Sequence, residues 1–480
     1  MHVKLPKTLI AAAGGLALVA AGLATAQAAL ASPASPASLP TSTTVSVACS
    51  TSALIADVTA VVSGETLSLS SKCTYVLTAT LPIVSADLTI QGNSATLERS
   101  QAIDTAEFNI LTVNSGNVAI SNLNFTNGDA DADGDCVVRN ATRKATHARG
   151  AIGNCAGVRT RNGPAGINDG GAIYNTGGNV SVTGGTFTDN NAYSDGGAIY
   201  SSEALSVSGA TFTGNSATAG GAIYNEFDAA ISGATFTGNY ADNYGGAVFA
   251  DWNTEVDTSV FSQNGAEYGG GFYVDDGLSS VTTSSFLNND AEYGGGVYND
   301  SDIAMSSILF ARNYASEDGG GLYNDSDGFL TSIVFRQNGA PDYGGGAYND
   351  DYLSLTAGTF ASNASEYGGG LYSDDDLLVA TTGFNRNTAY YGGGLYNDDY
   401  ATLTGASFSL NSATDYGGGI YSDGDMLDLI NGFVNLNTAP AGGGGGIYND
   451  DDDVSVMGSR IFGNTADNCA PAATVDGCTG

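Results

Sequence analysis

The chain is short of positive charge, histidine, tryptophan and proline. Of its 480 residues only 14 are Lys or Arg, against 50 Asp or Glu, for a formal net charge of -36. A polyanion of this kind repels other polyanions, which excludes a nucleic-acid or heparin binder. Beyond the leader the one histidine is His147, so no Ser/His/Asp or Cys/His catalytic set can be assembled. Proline occurs 9 times and without a Gly-X-Y period, which excludes collagen. After residue 31 no segment approaches the ~20 apolar residues of a spanning helix, so no membrane span is expected in the mature chain. Disorder is excluded from the other side, because 42% of the residues are hydrophobic and 9% aromatic.

What the chain has in excess is glycine (68 residues) and tyrosine (25 residues), and both belong to a repeat. From residue 169 the unit Gly-Gly-(Ala/Gly)-(Ile/Leu/Val)-Tyr-(Asn/Ser) recurs every 24 to 27 residues, its aromatic falling at Tyr174, Tyr200, Tyr224, Phe249, Tyr273 and on to Tyr448. A second signature, Phe-x-x-Asn, runs in phase from Phe187/Asn190 to Phe408/Asn411, and Val434/Asn437 and Ile461/Asn464 fill its last two places. Between the two lie alternating stretches such as Leu205-Ser-Val207-Ser, the period of a strand and not of a helix. A unit of about 25 residues cannot bury its apolar face alone, so the twelve copies must stack. The expected fold is all-β: a right-handed parallel β-helix with equivalent residues in columns ~4.8 Å apart. Ile, Leu, Val and Phe point inward, the Asn of Phe-x-x-Asn forms an internal amide ladder, and the Gly pairs supply left-handed or crowded turns.

The doubled, phased motif over residues 169–465 resembles the repeat of the chlamydial polymorphic outer membrane proteins and of secreted bacterial β-helix proteins more broadly. That resemblance implies a surface or adhesin-like role. Since this chain ends about one turn after its last repeat, the membrane barrel of those proteins is not expected here.

The remaining segments read as follows. Residues 1–31 form a secretory signal peptide, with Lys4 and Lys7 before an apolar run from Leu9 to Leu23 and small residues at Ala26-Gln27-Ala28 and Ala29-Leu30-Ala31. Residues 32–46 are a Pro/Ser/Thr linker, 47–128 an N-terminal cap with atypical coils, 129–168 an insertion, 169–466 the array, and 467–480 a C-terminal cap. Ser52 is expected to N-cap a short helix whose Leu54, Ile55, Val58, Val61 and Val62 cover the first apolar layer. Export leaves the six cysteines free to oxidise; of their 15 pairings the nearest neighbours are expected, Cys49 with Cys73, Cys136 with Cys155, and Cys469 with Cys478.

Three features could carry chemistry. The insertion opens with Asp129, Asp131, Asp133 and Asp135 around Gly134, the spacing of a Ca²⁺ loop, although Asn140 stands where such a loop has its bidentate acid. It also holds six of the 14 basic residues, either balancing nearby acids or docking an anionic polymer. The second feature is a set of acids after the Tyr-Asn of each coil, among them Asp350/Asp351, Asp374/Asp375 and Asp398/Asp399. Stacking puts them in columns where like charges repel, so they stay solvated, take up protons or are bridged by Ca²⁺. The third is tyrosine: the Tyr of the repeat unit points outward because its Ile, Leu or Val neighbour points inward, and a second Tyr precedes the glycines from Tyr244 to Tyr416. A stripe of phenol rings is therefore expected along one face, either stacked for stability or binding a glycan or peptide. Residues 162–480 contain 40 acids and four arginines (Arg312, Arg336, Arg386 and Arg460) spread over separate coils, and no acid is singled out by position. The expectation is an exported structural or adhesin-like protein, secreted or at the cell surface, with a glycan or cell-surface protein as ligand and Ca²⁺ as its one candidate cofactor. The competing class is a β-helix lyase or glycoside hydrolase acting on extracellular glycan.

Overall fold

The computed structural model describes residues 43–130, 168–450, 453–471 and 474–478. Alternation decides the local structure. Along Leu205–Ser208 burial alternates residue by residue, Leu205 and Val207 inward, Ser206 and Ser208 outward. The strand pairs in parallel with Val180–Thr183 of the coil before it and Ala229–Ser232 of the coil after it, like residue on like. The same register holds along the array, and the whole is a parallel β-solenoid of about 16 turns with about 25 residues per coil.

A coil has three sides. The first carries two strands, such as Leu205–Ser208 and Thr211–Thr213, bent at Gly209 and merged with their neighbours into one 30-stranded sheet. The second is short and broken, as in Ser216–Ala219, and continues between coils through single bridges. The third is the Φ-Tyr-(Asn/Ser) strand, as in Ile223–Asn225, part of a 14-stranded sheet.

The interior has two ladders that the repeat predicts. Phenylalanines from Phe125 to Phe408 stack with ring centroids 4.5 to 5.1 Å apart, and Val434 takes the next place. Burying each ring stabilises by about 2–3 kcal/mol. At the turn that follows, buried asparagines run from Asn190 to Asn464. Asn313 shows the pattern: its Oδ1 accepts both the backbone N–H and the Nδ2–H of Asn289 at 3.0 Å, and its Nδ2 donates to Phe286 O at 2.9 Å and to Asn338 Oδ1 at 3.1 Å. Each amide satisfies a backbone N–H that the turn would otherwise bury without a partner. Gly128 occupies the asparagine place at the start, its N–H donating to Asn190 Oδ1 at 2.9 Å.

The paired glycines have different reasons. Gly319 has φ +66°, whereas at Gly320 a Cβ would lie 2.4 Å from Gly345 O and 2.5 Å from Gly339 O. The first glycine is needed for its conformation, the second for the close approach of neighbouring coils. Elsewhere the left-handed conformation falls on ordinary residues, which the sequence does not announce. The residue before the asparagine has φ +57° at Arg312, +56° at Gln337 and +60° at Leu410. The fully satisfied ladder next to it offsets that local cost.

The N-terminal layer is covered by a helix, Thr51–Thr59, that buries Leu54 and Val58 in the core. It differs from expectation at both ends. Ser50, not Ser52, is the N-cap residue and makes no side-chain cap, while the Thr51 hydroxyl donates to Val76 O. Val61 and Val62 lie beyond the helix, and Ile55 and Val62 face solvent, because the helix touches the coil along one narrow stripe. Disulfides join Cys49 to Cys73, beside this helix, and Cys469 to Cys478 at the other end. A strand at Thr44–Val47 pairs with Glu65–Leu69, so residues read as linker already belong to the fold. Asp129–Ala130 likewise pairs in the array, with Asn191–Ala192, so the insertion begins after them. The signal peptide, Cys136, Cys155, Asp131, Asp133 and Asp135 lie outside the described residues.

Candidate functional site

On the third side alternation points Φ and Asn or Ser into the core and Tyr out of it. Yet Tyr372, Tyr396 and Tyr421 are only 6 to 7% exposed. The second column, Tyr343, Tyr367, Tyr391 and Tyr416, leans over them; Tyr343 meets Tyr372 edge-on at 4.8 Å. The outward tyrosines therefore form a core of their own outside the coil. Their rings run without a gap from Tyr174 to Tyr448, with successive centroids 4.6 to 5.7 Å apart and Phe249 in one place.

A covered phenol needs a partner for its O–H, and the following coil supplies one. Tyr273 donates to Asp300 at 2.8 Å, Tyr298 to Asp325 at 2.7 Å, Tyr372 to Asp398 at 3.1 Å, Tyr396 to Asp423 at 3.0 Å and Tyr421 to Asp450 at 2.9 Å. Tyr200 uses Glu226 in the same way at 2.7 Å, while Tyr348 turns to Asp350 of its own coil at 3.3 Å. Burial first, and then the bonded carboxylate, pushes the Tyr273 and Tyr298 phenols well above their ordinary range.

The acids after each Tyr-Asn stand close to one another. Asp374 is pushed up to about 7, by burial and then by Asp398 and Asp350 on either side of it. Asp275 is pushed up to about 6 by burial and then by Asp251, and Asp350 is raised by burial and then by Asp325. Asp350, Asp374 and Asp398 thus share one column. Asp399, pushed up to about 6 by burial and then by Asp375, belongs to a second column with it. Asp351 is exposed, and its carbonyl accepts from Asn349 Nδ2 at 2.8 Å. Burial and neighbouring like charge both favour proton uptake at Asp374, Asp275, Asp350 and Asp399. Among the described residues no three acid, His or Cys side chains converge as a metal site would require. Asp129 has both oxygens engaged, with Arg99 Nη2 at 2.6 Å and Asn191 Nδ2 at 3.1 Å.

Two features escaped the sequence reading. Below the tyrosines a second buried amide ladder runs Asn299 to Asn324 to Asn349 to Ser373, each Nδ2 donating onward at 2.9 to 3.0 Å. Asn299 Oδ1 has no partner among the described residues, because the coil before it has Val274 in that place. The other is Asp318, which interrupts the second tyrosine column between Tyr293 and Tyr343. It is pushed up to about 6 by burial, against the pull of the Tyr343 N–H that it accepts at 3.0 Å, with Asp342 and Glu317 adding to the rise. An aspartate where both flanking coils have tyrosine was the available signal. Around the corner a shallow, open depression of about 610 Å³ lies over Pro341, Ser365, Glu366 and Tyr390.

The chain matches the sequence model of the Chlamydia polymorphic membrane protein repeat over residues 184–202, 209–226, 233–251 and 405–423. Each match starts at the bending glycine, spans one Phe-x-x-Asn and closes just after the aromatic of the third side. The protein is a β-helix repeat protein similar in its coils to that family. Searches of the curated proteins and of the solved structures find no match.

Proposed function

We propose that the chain is an exported structural or adhesin-like repeat protein that presents its tyrosine and acid columns at or outside the cell surface. The observation that carries this reading is the repetition along the side: a phenol donates to a carboxylate of the next coil at Tyr273/Asp300, Tyr298/Asp325, Tyr372/Asp398, Tyr396/Asp423 and Tyr421/Asp450. An enzyme concentrates groups that do not repeat, whereas a scaffold or a multivalent binding surface repeats them. The similarity to the Chlamydia polymorphic membrane protein repeat supports a surface setting, and the leader and two disulfides fit an oxidising compartment. A fitting ligand is a glycan or a cell-surface protein that offers cations or hydroxyls to the acids. Binding of the purified chain to a glycan array and to whole cells tests this, and absence of binding at high protein concentration would remove adhesion. The acid columns also offer the oxygen donors that Ca²⁺ accepts. A melt in EDTA against millimolar Ca²⁺ tests that part, and an unchanged midpoint ends it.

Asp318 favours a second reading, hydrolysis of an extracellular glycan. Such reactions pair a carboxyl that is protonated near neutral pH with a second carboxylate, and Asp318 is pushed up to about 6 within electrostatic reach of Asp350. Release of reducing sugar from cell-wall glycans by the native chain, abolished in Asp318→Asn, would establish it.

A further inference from the structure

Two aromatic columns run along the solenoid with nearly the same spacing, but one can lose electrons and the other cannot. The phenylalanine column is sealed in the core and has no oxidisable group. The tyrosine column is continuous, largely covered, and seven of its phenols already donate to a carboxylate: Tyr200, Tyr273, Tyr298, Tyr348, Tyr372, Tyr396 and Tyr421. A buried phenol without such an acceptor would have to become a cation when it loses an electron, which a dry site opposes. Here a base stands within hydrogen-bond distance of each of these seven, while Tyr323, between Tyr298 and Tyr348, has no carboxylate partner among the described residues.

We propose that the Tyr273–Tyr448 column carries oxidising equivalents along the solenoid by proton-coupled electron transfer between stacked tyrosines. The oxidant is a one-electron acceptor of the extracellular medium, such as an oxygen-centred radical. Tyr273 gives it one electron; the phenol O–H bond breaks, the proton passes to Asp300 Oδ2, and a neutral phenoxyl remains. In the next step Tyr298 gives an electron to that phenoxyl and its own proton to Asp325, while Asp300 returns the first proton to Tyr273. The hole has moved one coil, ~4.8 Å, and every proton is accounted for. Asp300 is suited to its part, since burial raises its affinity for a proton. Tyr323 is passed over: Tyr348 gives an electron to the Tyr298 phenoxyl across two coil spacings, ~10 Å, and its proton to Asp350, while Asp325 returns its proton to Tyr298. Further steps bring the hole towards Tyr448, which is more exposed than its neighbours and releases its proton to water; there a small thiol returns an electron and a proton and leaves as a thiyl radical. Asp318 keeps the second tyrosine column from acting as a bypass, because it replaces the ring between Tyr293 and Tyr343.

The test uses the full chain with a ruthenium tris-bipyridine photosensitiser on Asp276→Cys, an exposed turn position three residues from Tyr273. After flash oxidation, radicals are captured with a nitroso spin trap and mapped by mass spectrometry. Adducts are expected at Tyr421 and Tyr448, about six coils away. Tyr323→Phe/Tyr348→Phe keeps the stacked rings and should lower those distant adducts at least about tenfold, a barrier increase of one decade in rate. Asp325→Asn, which leaves all rings in place, should lower them in the same direction and confirms the proton's part should the double variant fold poorly. Equal distant adducts in all three chains, or adducts confined to Tyr273 in the parent chain, would overturn the proposal.

Discussion

The Phe-x-x-Asn corner and the Tyr-Asp corner meet the same demand, stacking like on like once per coil, with opposite chemistry. Inside, the repeated polar group is a neutral amide that donates and accepts, so each copy satisfies the next and repetition strengthens the column. Outside, the repeated group is a carboxylate that can only accept when ionised, so repetition sets like charges beside each other. The phenols relieve part of this by donating to Asp300, Asp325, Asp398, Asp423 and Asp450. At other positions burial and the flanking carboxylates raise a carboxyl's affinity for its proton, as at Asp374. One corner is indifferent to pH and the other depends on it.

That contrast can be broken from either side. The largest effect is expected from Phe310→Ala, a ring stacked on Phe286 at 5.1 Å and Phe335 at 4.8 Å, at about 3–5 kcal/mol by urea denaturation. Because coils contact only their neighbours, hydrogen exchange should show the loss centred on the adjacent coils. Next is Asn313→Ala, which leaves the backbone N–H and Nδ2–H of Asn289 and the carbonyl of Phe286 without their partner, at about 2–4 kcal/mol. Its cost should be the same at pH 5 and pH 8, and a difference would show that the inner ladder is not neutral.

The outer corner should behave otherwise. Asp374 is held at about 7 and Asp275, Asp318 and Asp399 at about 6, against about 3.9 in an unfolded chain. A raised carboxyl binds its proton more tightly in the folded state, so its contribution is fully present below about pH 4 and is lost as pH rises through 6 to 7. The thermal midpoint should therefore be higher at pH 5 than at pH 8. Asp374→Asn should narrow that gap by raising the midpoint at pH 8; because the group is only partly buried and solvent screens it, the gain is at most about 1 kcal/mol. A midpoint independent of pH would contradict the proton-uptake account of the columns. The smallest change is Tyr298→Phe, which keeps the stack and removes one O–H bond, at about 1 kcal/mol or less by the same urea denaturation.

Much of the inner corner could be read before any coordinates. Asn190 to Asn464 recur in phase with Phe187 to Ile461, and a repeated amide beside a repeated apolar residue has one physical use in a stacked coil. The outer corner was legible in part. That tyrosines and acids form columns follows from the period, but that Tyr298 reaches Asp325 of the next coil depends on register between residues 27 apart. That the outward rings become buried depends on the second column leaning over the first, which no strand pattern specifies. Asp318 was visible as a break in the pattern and was passed over among 40 acids. The helix start was missed because Thr51 is held by Val76 O, a contact from another strand and not a local cap.

The sequence by itself determined the coil: its length, its inward residues, its glycine turns and the uniform acidity of residues 162–480. Those are local or periodic properties, and a period of about 25 residues leaves one way to bury them. The tertiary structure decided which groups of adjacent coils meet, and so turned a bulk charge of -36 into phenol–carboxylate pairs and columns of carboxyls with raised proton affinity. The reason is that burial and neighbouring charge, which set the state of a carboxylate, exist only once the coils are stacked.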